Sequence, residues 1–150
     1  MANTIPVNYE LQFEPLFHNF TFKGMEIITI SLSKATDSII LDAAELKIKK
    51  CHVEQGTKII TANASLNEKN ERLTIKLSKK IKGKAKLCIR FTGVLNDRLL
   101  GFYKSQYKDN KGKTKYLATT QFEAADARRA FPCWDEPAVK STFDVSLLVD

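Results

Sequence analysis

Apolar and polar residues alternate over short stretches of this chain, which is the pattern of strands that bury one face. The alternation is clearest near the N-terminus, where the apolar positions are Val7, Tyr9, Leu11 and Phe13. It returns in a later segment, whose expected core side consists of Ala85, Leu87, Ile89 and Phe91. Other short apolar runs predict strands at residues 25–32, 39–41, 46–53, 59–64, 73–77, 102–107, 116–120 and 143–148.

Turn-forming residues separate these runs. Pro15 is expected to end the first strand, residues 36–38 to form a turn, and the segment around Gly83 to connect two strands. Residues 109–112 read Asp-Asn-Lys-Gly, a strong hairpin signal. The alternation slips once near residues 49–50, which predicts a bulge. Many short strands with turns between them predict an all-β fold, either an antiparallel β-sandwich or a saddle-like sheet.

One short stretch has helix-forming composition instead. Residues 124–130 are rich in alanine and arginine, and Pro132 disfavours helix at the residue before it. A single short helical turn is therefore expected near residues 124–130. If the preceding strand continues far enough, Gln121 and Glu123 share one face of extended chain just before this turn.

The composition is that of an ordinary globular domain. A chain of 150 residues fits one domain, and 43% hydrophobic with 27% charged residues is a normal balance. No apolar run approaches the length of a membrane span, and the N-terminus lacks the features of a signal peptide. Three cysteines without paired spacing argue against a disulfide framework. We therefore expect a cytoplasmic protein that has no membrane partner.

The net charge of +7 raises the question of nucleic-acid binding. A cluster of basic side chains around a predicted turn consists of Lys79, Lys80, Lys82, Lys84 and Lys86. No aromatic residues that could stack on bases are interleaved with them. A solvated hairpin tip with charged edge positions explains the cluster better, so no nucleic-acid partner is expected.

The chain offers no residues for bond cleavage. It lacks the H-E-x-x-H motif with which a zinc peptidase binds its metal, and its two histidines are His18 and His52. Cys51 and His52 are adjacent in a strand and point to opposite faces, so they are interpreted as ordinary strand residues. Cys133 lies beside Trp134 and is expected to be a buried structural thiol. No catalytic or metal-ligating residue is assigned.

Residues 119–139 carry the most distinctive motif, T-T-Q-F-E-A-A-D-A-R-R-A-F-P-C-W-D-E-P-A-V. Together with G-F-Y-K-S at residues 101–105, this run closely resembles the N-terminal domain of the zinc aminopeptidases typified by aminopeptidase N, puromycin-sensitive aminopeptidase and the tricorn-interacting factors. The resemblance extends back to P-V-N-Y-E-L at residues 6–11 and F-K-G at residues 22–24, so it covers nearly the whole chain.

The resemblance implies a role for two residues. Glu123 is expected to help hold the α-ammonium group of a peptide, and Gln121 to line the pocket for the first side chain. A desolvated ammonium requires an ionised partner and several acceptors. The resemblance also implies that residues 1–150 are the N-terminal β domain of an aminopeptidase, truncated at the C-terminal end. The partners are then peptide substrates and the absent catalytic domain, which holds the zinc. The chain alone is expected to bind no cofactor and to be inactive.

Two alternatives stay open at this point. Glu123 could instead pair with Arg128 or Arg129 and cap the helical turn. The chain could also be a stand-alone β-sandwich module that binds peptide amino termini or a protein partner. The charged residues that are assigned a structural role in fixing the loop are Asp126, Arg128, Arg129, Asp135 and Glu136. An unpaired sheet edge near the C-terminus predicts some self-association.

Overall fold

The computed structural model describes residues 3–149, which form an almost purely β structure. Its strands in chain order are β1 (Thr4–Leu16), β2 (Thr21–Asp42), β3 (Lys47–Gln55), β4 (Lys58–Asn67), β5 (Arg72–Val94), β6 (Gly101–Lys108), β7 (Thr114–Gln121) and β8 (Thr142–Leu147). A 3-10 turn, Ala127–Arg129, lies between β7 and β8. The all-β class and the single short helical turn are both confirmed.

Six of the strands form one sheet in the order β3-β4-β5-β2-β1-β8, and β3 also pairs directly with β5. The pairs are antiparallel except at the outer edge, where β8 runs parallel to β1. Strands β6 and β7 form a separate antiparallel pair, which is the hairpin predicted around residues 109–112. The sheets are therefore mainly antiparallel, as expected.

Two strands are much longer than the sequence pattern suggests. β2 has 22 residues and β5 has 23, so the turns expected at residues 36–38 and around Gly83 are wrong. The pairing of β2 with β5 continues past both of these positions. The β2–β5 register shifts between Leu32 and Ser38, and Gly83 pairs with Leu32 at a φ of +86°. Because β2 and β5 pair on both sides of these positions, a local irregularity disturbs the ladder without ending the strand.

The lysines between positions 79 and 86 consequently lie along β5 and not at a hairpin tip. All five are exposed, while Ile81 and Ala85 between them are buried. The positive charge is therefore spread along a strand, on side chains that face solvent.

The core lies on one face of the main sheet. The four apolar residues expected to form the core side of β5 are all buried: Ala85, Leu87, Ile89 and Phe91. In β1 the pattern holds for Tyr9, Leu11 and Phe13, but Val7 is 45% exposed. A register shift between Pro6 and Asn8 makes Val7 an extra residue in the ladder, which turns it away from the core. The bulge expected near residues 49–50 is confirmed by a shift between Ile48 and Lys50.

Glu26 is an exception in this apolar core. Its side chain is fully buried, and neither carboxyl oxygen has a hydrogen-bond partner among residues 3–149. Its directly opposed neighbours in the sheet, Leu11 and Ile89, are both apolar. Burial in these surroundings raises the pKa of the Glu26 carboxyl well above its usual range.

We expect the replacement Glu26→Met to stabilise the fold, and to do so more strongly as the pH rises. Folding raises the pKa of Glu26, so the folded state holds this proton more tightly than the unfolded state. Stability is then greatest at low pH and falls as the pH rises above the ordinary value of 4.5 towards the raised pKa. Within that window the unfolding free energy should fall by about 1.4 kcal/mol per pH unit relative to Glu26→Met. Urea midpoints measured across this window test the difference, and parallel pH profiles for the two proteins would contradict it.

The outer edge of the main sheet is formed by β8. Its apolar side chains Phe143, Val145 and Leu147 are between 52% and 61% exposed. The self-association expected for such an edge stays a prediction. Among residues 3–149, no helix is long and apolar enough to cross a membrane.

Candidate functional site

The candidate site is the junction that follows β7. Strand β7 ends at Gln121, and Glu123 lies in the turn after it. The condition for Gln121 and Glu123 to share one strand face, continuation of the strand beyond Gln121, is not met, because the pairing of β7 with β6 stops there. The 3-10 turn begins at Ala127 with Asp126 as its N-cap, so the alternative in which Glu123 caps the helical turn is wrong. Both side chains are exposed to solvent.

A close backbone approach holds the base of the hairpin against the 3-10 turn. Gly101, the first residue of β6, pairs with Gln121 and has a φ of +66°. A Cβ atom on Gly101 would lie 2.8 Å from the Cβ atom of Arg129. Any larger residue would therefore push the turn away from the strand. Glycine at this position fixes Gln121 relative to the turn.

Arg128 ties the 3-10 turn to the main sheet. Its side chain is only 16% exposed; Nε donates to Oδ2 of Asp135 at 2.9 Å, and Nη1 donates to Oε2 of Glu71 at 3.1 Å. Nη1 also lies 3.8 Å from Oδ1 of Asp42. Burial by itself disfavours the charged guanidinium, but these carboxylates outweigh it and raise the pKa of Arg128 above its usual value.

Arg129 makes a second set of ion pairs beside the first. Its nitrogens donate to Asp126 at 2.9 Å, Glu45 at 2.7 Å and Glu71 at 2.8 Å. Glu71 thus accepts from both arginines. The structural role expected for the charged cluster is confirmed for Asp126, Arg128, Arg129 and Asp135. Glu136 makes no ion pair within the described part of the chain.

Asp42, the last residue of β2, anchors the following loop. Its side chain is 3% exposed and lies 2.8 Å from Nη1 of Arg72. Its carboxylate also accepts the backbone N–H of Asp135 at 3.0 Å. The backbones of Asp42 and Cys133 exchange two hydrogen bonds, of 2.7 and 3.0 Å. The loop after the 3-10 turn is therefore bonded directly to the end of a central strand.

Packing of aromatic rings around Phe131 stabilises the junction. The buried ring of Phe131 makes edge-to-face contacts with Tyr9, Phe122 and Phe143, at centroid distances of 6.0, 5.9 and 6.4 Å. The backbone N–H of Trp134 donates to the Tyr9 hydroxyl at 3.2 Å. Burial is the main cause that raises the pKa of Tyr9, so this hydroxyl stays protonated. The turn, β1 and β8 are thereby packed into one unit.

Glu123 differs from every other acidic residue of this junction except Glu136. Among residues 3–149 it has no ion-pair partner, because both arginines bind other carboxylates. The alternative in which Glu123 pairs with Arg128 or Arg129 is therefore wrong. Glu123 lines a cavity of about 410 Å³ together with Trp134, and Gln121 is not part of the lining. The structure thus leaves the Glu123 carboxylate available at the edge of a cavity.

The cysteines of the chain are not activated nucleophiles. All three cysteines are free thiols, and burial is the largest cause that raises their pKa values, to about 11 for Cys88. They are therefore protonated near neutral pH, and a thiol is a poor nucleophile. Cys133 is buried, as expected. The lining of the Glu123 cavity contains no imidazole, so it does not fit the zinc site of a peptidase.

Comparison with known proteins identifies the family. The family model described as the peptidase M1 N-terminal domain matches residues 5–150. The chain belongs to this family. It is 43% identical over 151 residues to Aminopeptidase 2 of Candida albicans and 40% identical over 148 residues to puromycin-sensitive aminopeptidase of Caenorhabditis elegans. It is also 38% identical over 155 residues to "Aminopeptidase 2, mitochondrial" of Saccharomyces cerevisiae. The predicted relationship to aminopeptidase N-terminal domains is thus confirmed.

The peptidase M1 alignments cover almost all of this chain but little of each relative. They include 99%, 97% and 99% of this chain, and 16% of each of these three relatives. The chain therefore spans about a sixth of the length of the curated relatives that it matches. The relatives' names describe whole proteins, of which the domain is one part.

Proposed function

We propose that this chain is the substrate-anchoring N-terminal domain of a zinc-dependent aminopeptidase, which removes N-terminal residues from peptides. The observation that carries the proposal is the unpaired, exposed carboxylate of Glu123 at the edge of a cavity. Every arginine of the adjoining turn is occupied by other acids, so this carboxylate is available to an external cation. Membership of the peptidase M1 N-terminal domain family supports the reaction class.

Glu123 is proposed to bind the α-ammonium group of the substrate. An ammonium that leaves water needs an ionised partner, because charge-assisted hydrogen bonds are the strong ones and an unpaired buried charge is costly. Gln121, held by Gly101 at the base of the hairpin, is proposed to contact the first side chain. The ion pairs of Arg128 and Arg129 hold the junction rigid, which reduces the entropy lost when substrate binds.

Residues 1–150 are proposed to be the N-terminal β domain of a longer polypeptide, truncated at its C-terminal end, whose catalytic domain supplies the zinc. The exposed apolar edge of β8 is consistent with further strands there. The proposed partners are peptides and that catalytic domain. No nucleic-acid or membrane partner is proposed. The free thiols support a cytoplasmic location, although one relative's name places it in mitochondria.

On its own the chain should not hydrolyse peptides, because it contains no H-E-x-x-H motif to bind zinc and activate water. We expect the purified chain, incubated with zinc and an aminoacyl anilide, to release no more product than a protein-free blank. Turnover that stays with the chain through purification would contradict the proposal. It would favour an independent enzyme over an anchoring domain.

A further inference from the structure

Three side chains with metal-binding atoms lie together on the face of the main sheet opposite the core. The pairing of β3 with β5 places His52 directly across from Cys88. Glu54 follows His52 by two residues on β3. Directly opposed residues in a sheet, and residues two apart in one strand, project from the same face. The sheet register therefore brings an imidazole, a thiol and a carboxylate to one point.

The distances within this group are short enough for a single ion to reach all three residues. Nε2 of His52 lies 3.1 Å from Oε1 of Glu54. One ligand atom from each of the three residues lies within 4.8 Å of the others. The group lines a cavity of about 160 Å³. The His52 and Glu54 side chains are 27% and 45% exposed, so solvent ions have access.

We propose that His52, Glu54 and Cys88 form a three-ligand site for a zinc-type divalent cation, with water at the fourth position. Imidazole and thiolate ligands select zinc and its neighbours, whereas magnesium and calcium prefer oxygen ligands throughout. Neighbouring ligand atoms of a tetrahedral zinc site lie roughly 3.4–3.8 Å apart, as follows from its bond lengths. The three ligand atoms lie within 4.8 Å of one another, so a small adjustment of the side chains brings them to this spacing.

Charges around the group set a limit on the affinity. Metal binding releases the Cys88 proton to solvent, and the resulting thiolate and the Glu54 carboxylate balance the two positive charges of the ion, so the occupied site is neutral. Lys50 and Arg90 also line the cavity. Lys86, two residues before Cys88 on β5, lies 3.9 Å from Glu10 of β1. With only three protein ligands and cations nearby, the site should bind more weakly than a four-ligand structural zinc site.

The simplest competing interpretation is that these residues only hydrogen-bond one another. Cobalt distinguishes the two, because a thiolate bound to Co²⁺ gives a charge-transfer absorption band and a hydrogen-bonded thiol does not. We expect one equivalent of Co²⁺ to produce this band in the metal-free chain, and Zn²⁺ to abolish it by displacement. Cys88→Ser should eliminate the band and weaken Zn²⁺ binding by at least about tenfold.

Cys51→Ser is the matched control for this experiment. Cys51 precedes His52 in β3 and is also partly buried, but its Sγ points towards the carbonyl of Ala62 at 3.5 Å. This variant should keep the band and the Zn²⁺ affinity. Absence of the band in the unaltered chain, or an equal loss in both variants, would overturn the proposal.

A second measurement needs no substitution and therefore avoids any loss of folding in Cys88→Ser. Alkylation of the thiols is followed residue by residue with and without Zn²⁺. Bound zinc should slow the reaction of Cys88 by at least about tenfold and leave Cys51 unchanged. Equal rates for Cys88 with and without zinc would also overturn the proposal.

Discussion

Replacing Arg128 by Met should cost about 3–5 kcal/mol of unfolding free energy, because it leaves buried carboxylates without their cation. Asp135 and Asp42 are only 12% and 3% exposed, and both face the Arg128 guanidinium. Nη1 of Arg72 still lies 2.8 Å from Oδ1 of Asp42 and neutralises it. Most of the lost stability therefore comes from the unpaired carboxylate of Asp135. Arg128→Lys should recover part of it, since lysine keeps the charge but lacks the planar fork that binds two acids.

The urea midpoint at constant m-value measures this loss. Arg98→Met is the matched control, because Arg98 pairs with Glu45 at the surface and the two side chains are 50% and 45% exposed. Exposed pairs of this kind contribute less than about 1 kcal/mol. Equal midpoints for Arg128→Met and Arg98→Met would show that the charged cluster does not hold the junction together.

The second large effect concerns substrate binding. In a full-length aminopeptidase that carries this domain, Glu123→Ala should raise KM and lower kcat, with a loss in kcat/KM equivalent to roughly 2–5 kcal/mol. The physical reason, under the proposed anchoring role, is that the substrate ammonium loses its ionised partner. Steady-state kinetics on a free-amine peptide measure the loss. Glu10→Ala, which removes a carboxylate on β1 that takes no part in the junction, should leave both constants unchanged.

The local pattern of the sequence was sufficient for the strands of the core. The alternation in residues 85–91 gave the buried face of β5 correctly, because Ala85 and Leu87 meet Ile30 and Ile28 across the sheet. Ile89 is buried as well, although its partner on β2 is the acidic Glu26. The lengths of β2 and β5 were instead determined by long-range pairing of the strands. Residues 36–38 and Gly83 have turn-forming composition, yet pairing of β2 with β5 on both sides carries the strands through.

The candidate junction shows the same limit. The motif at residues 119–139 pointed to this segment, and the expectation that its arginines help to fix the loop agrees with their ion pairs. Their partners Asp42, Glu45 and Glu71 come from distant parts of the chain and have no signature of their own in the sequence. For this reason the sequence left open a pairing of Glu123 with the arginines, which the structure excludes.

The convergence of His52 with Cys88 was missed for a related reason. Along the chain, the neighbour of His52 is Cys51, which faces the other side of the sheet. The residue that matters lies 36 positions away, a separation given by the register in which His52 pairs with Cys88. Only the pairing of β3 with β5 brings them together.

The most direct test of the anchoring role uses two competitive peptide inhibitors that differ only in the α-amino group, present in one and replaced by hydrogen in the other. Their inhibition constants are measured for the full-length enzyme and for Glu123→Ala. Binding of the ammonium by Glu123 predicts that the unaltered enzyme strongly prefers the amine and that the variant loses most of that preference, because the two changes remove the same interaction. An unchanged ratio of inhibition constants in the variant would contradict a role for Glu123 in anchoring the substrate.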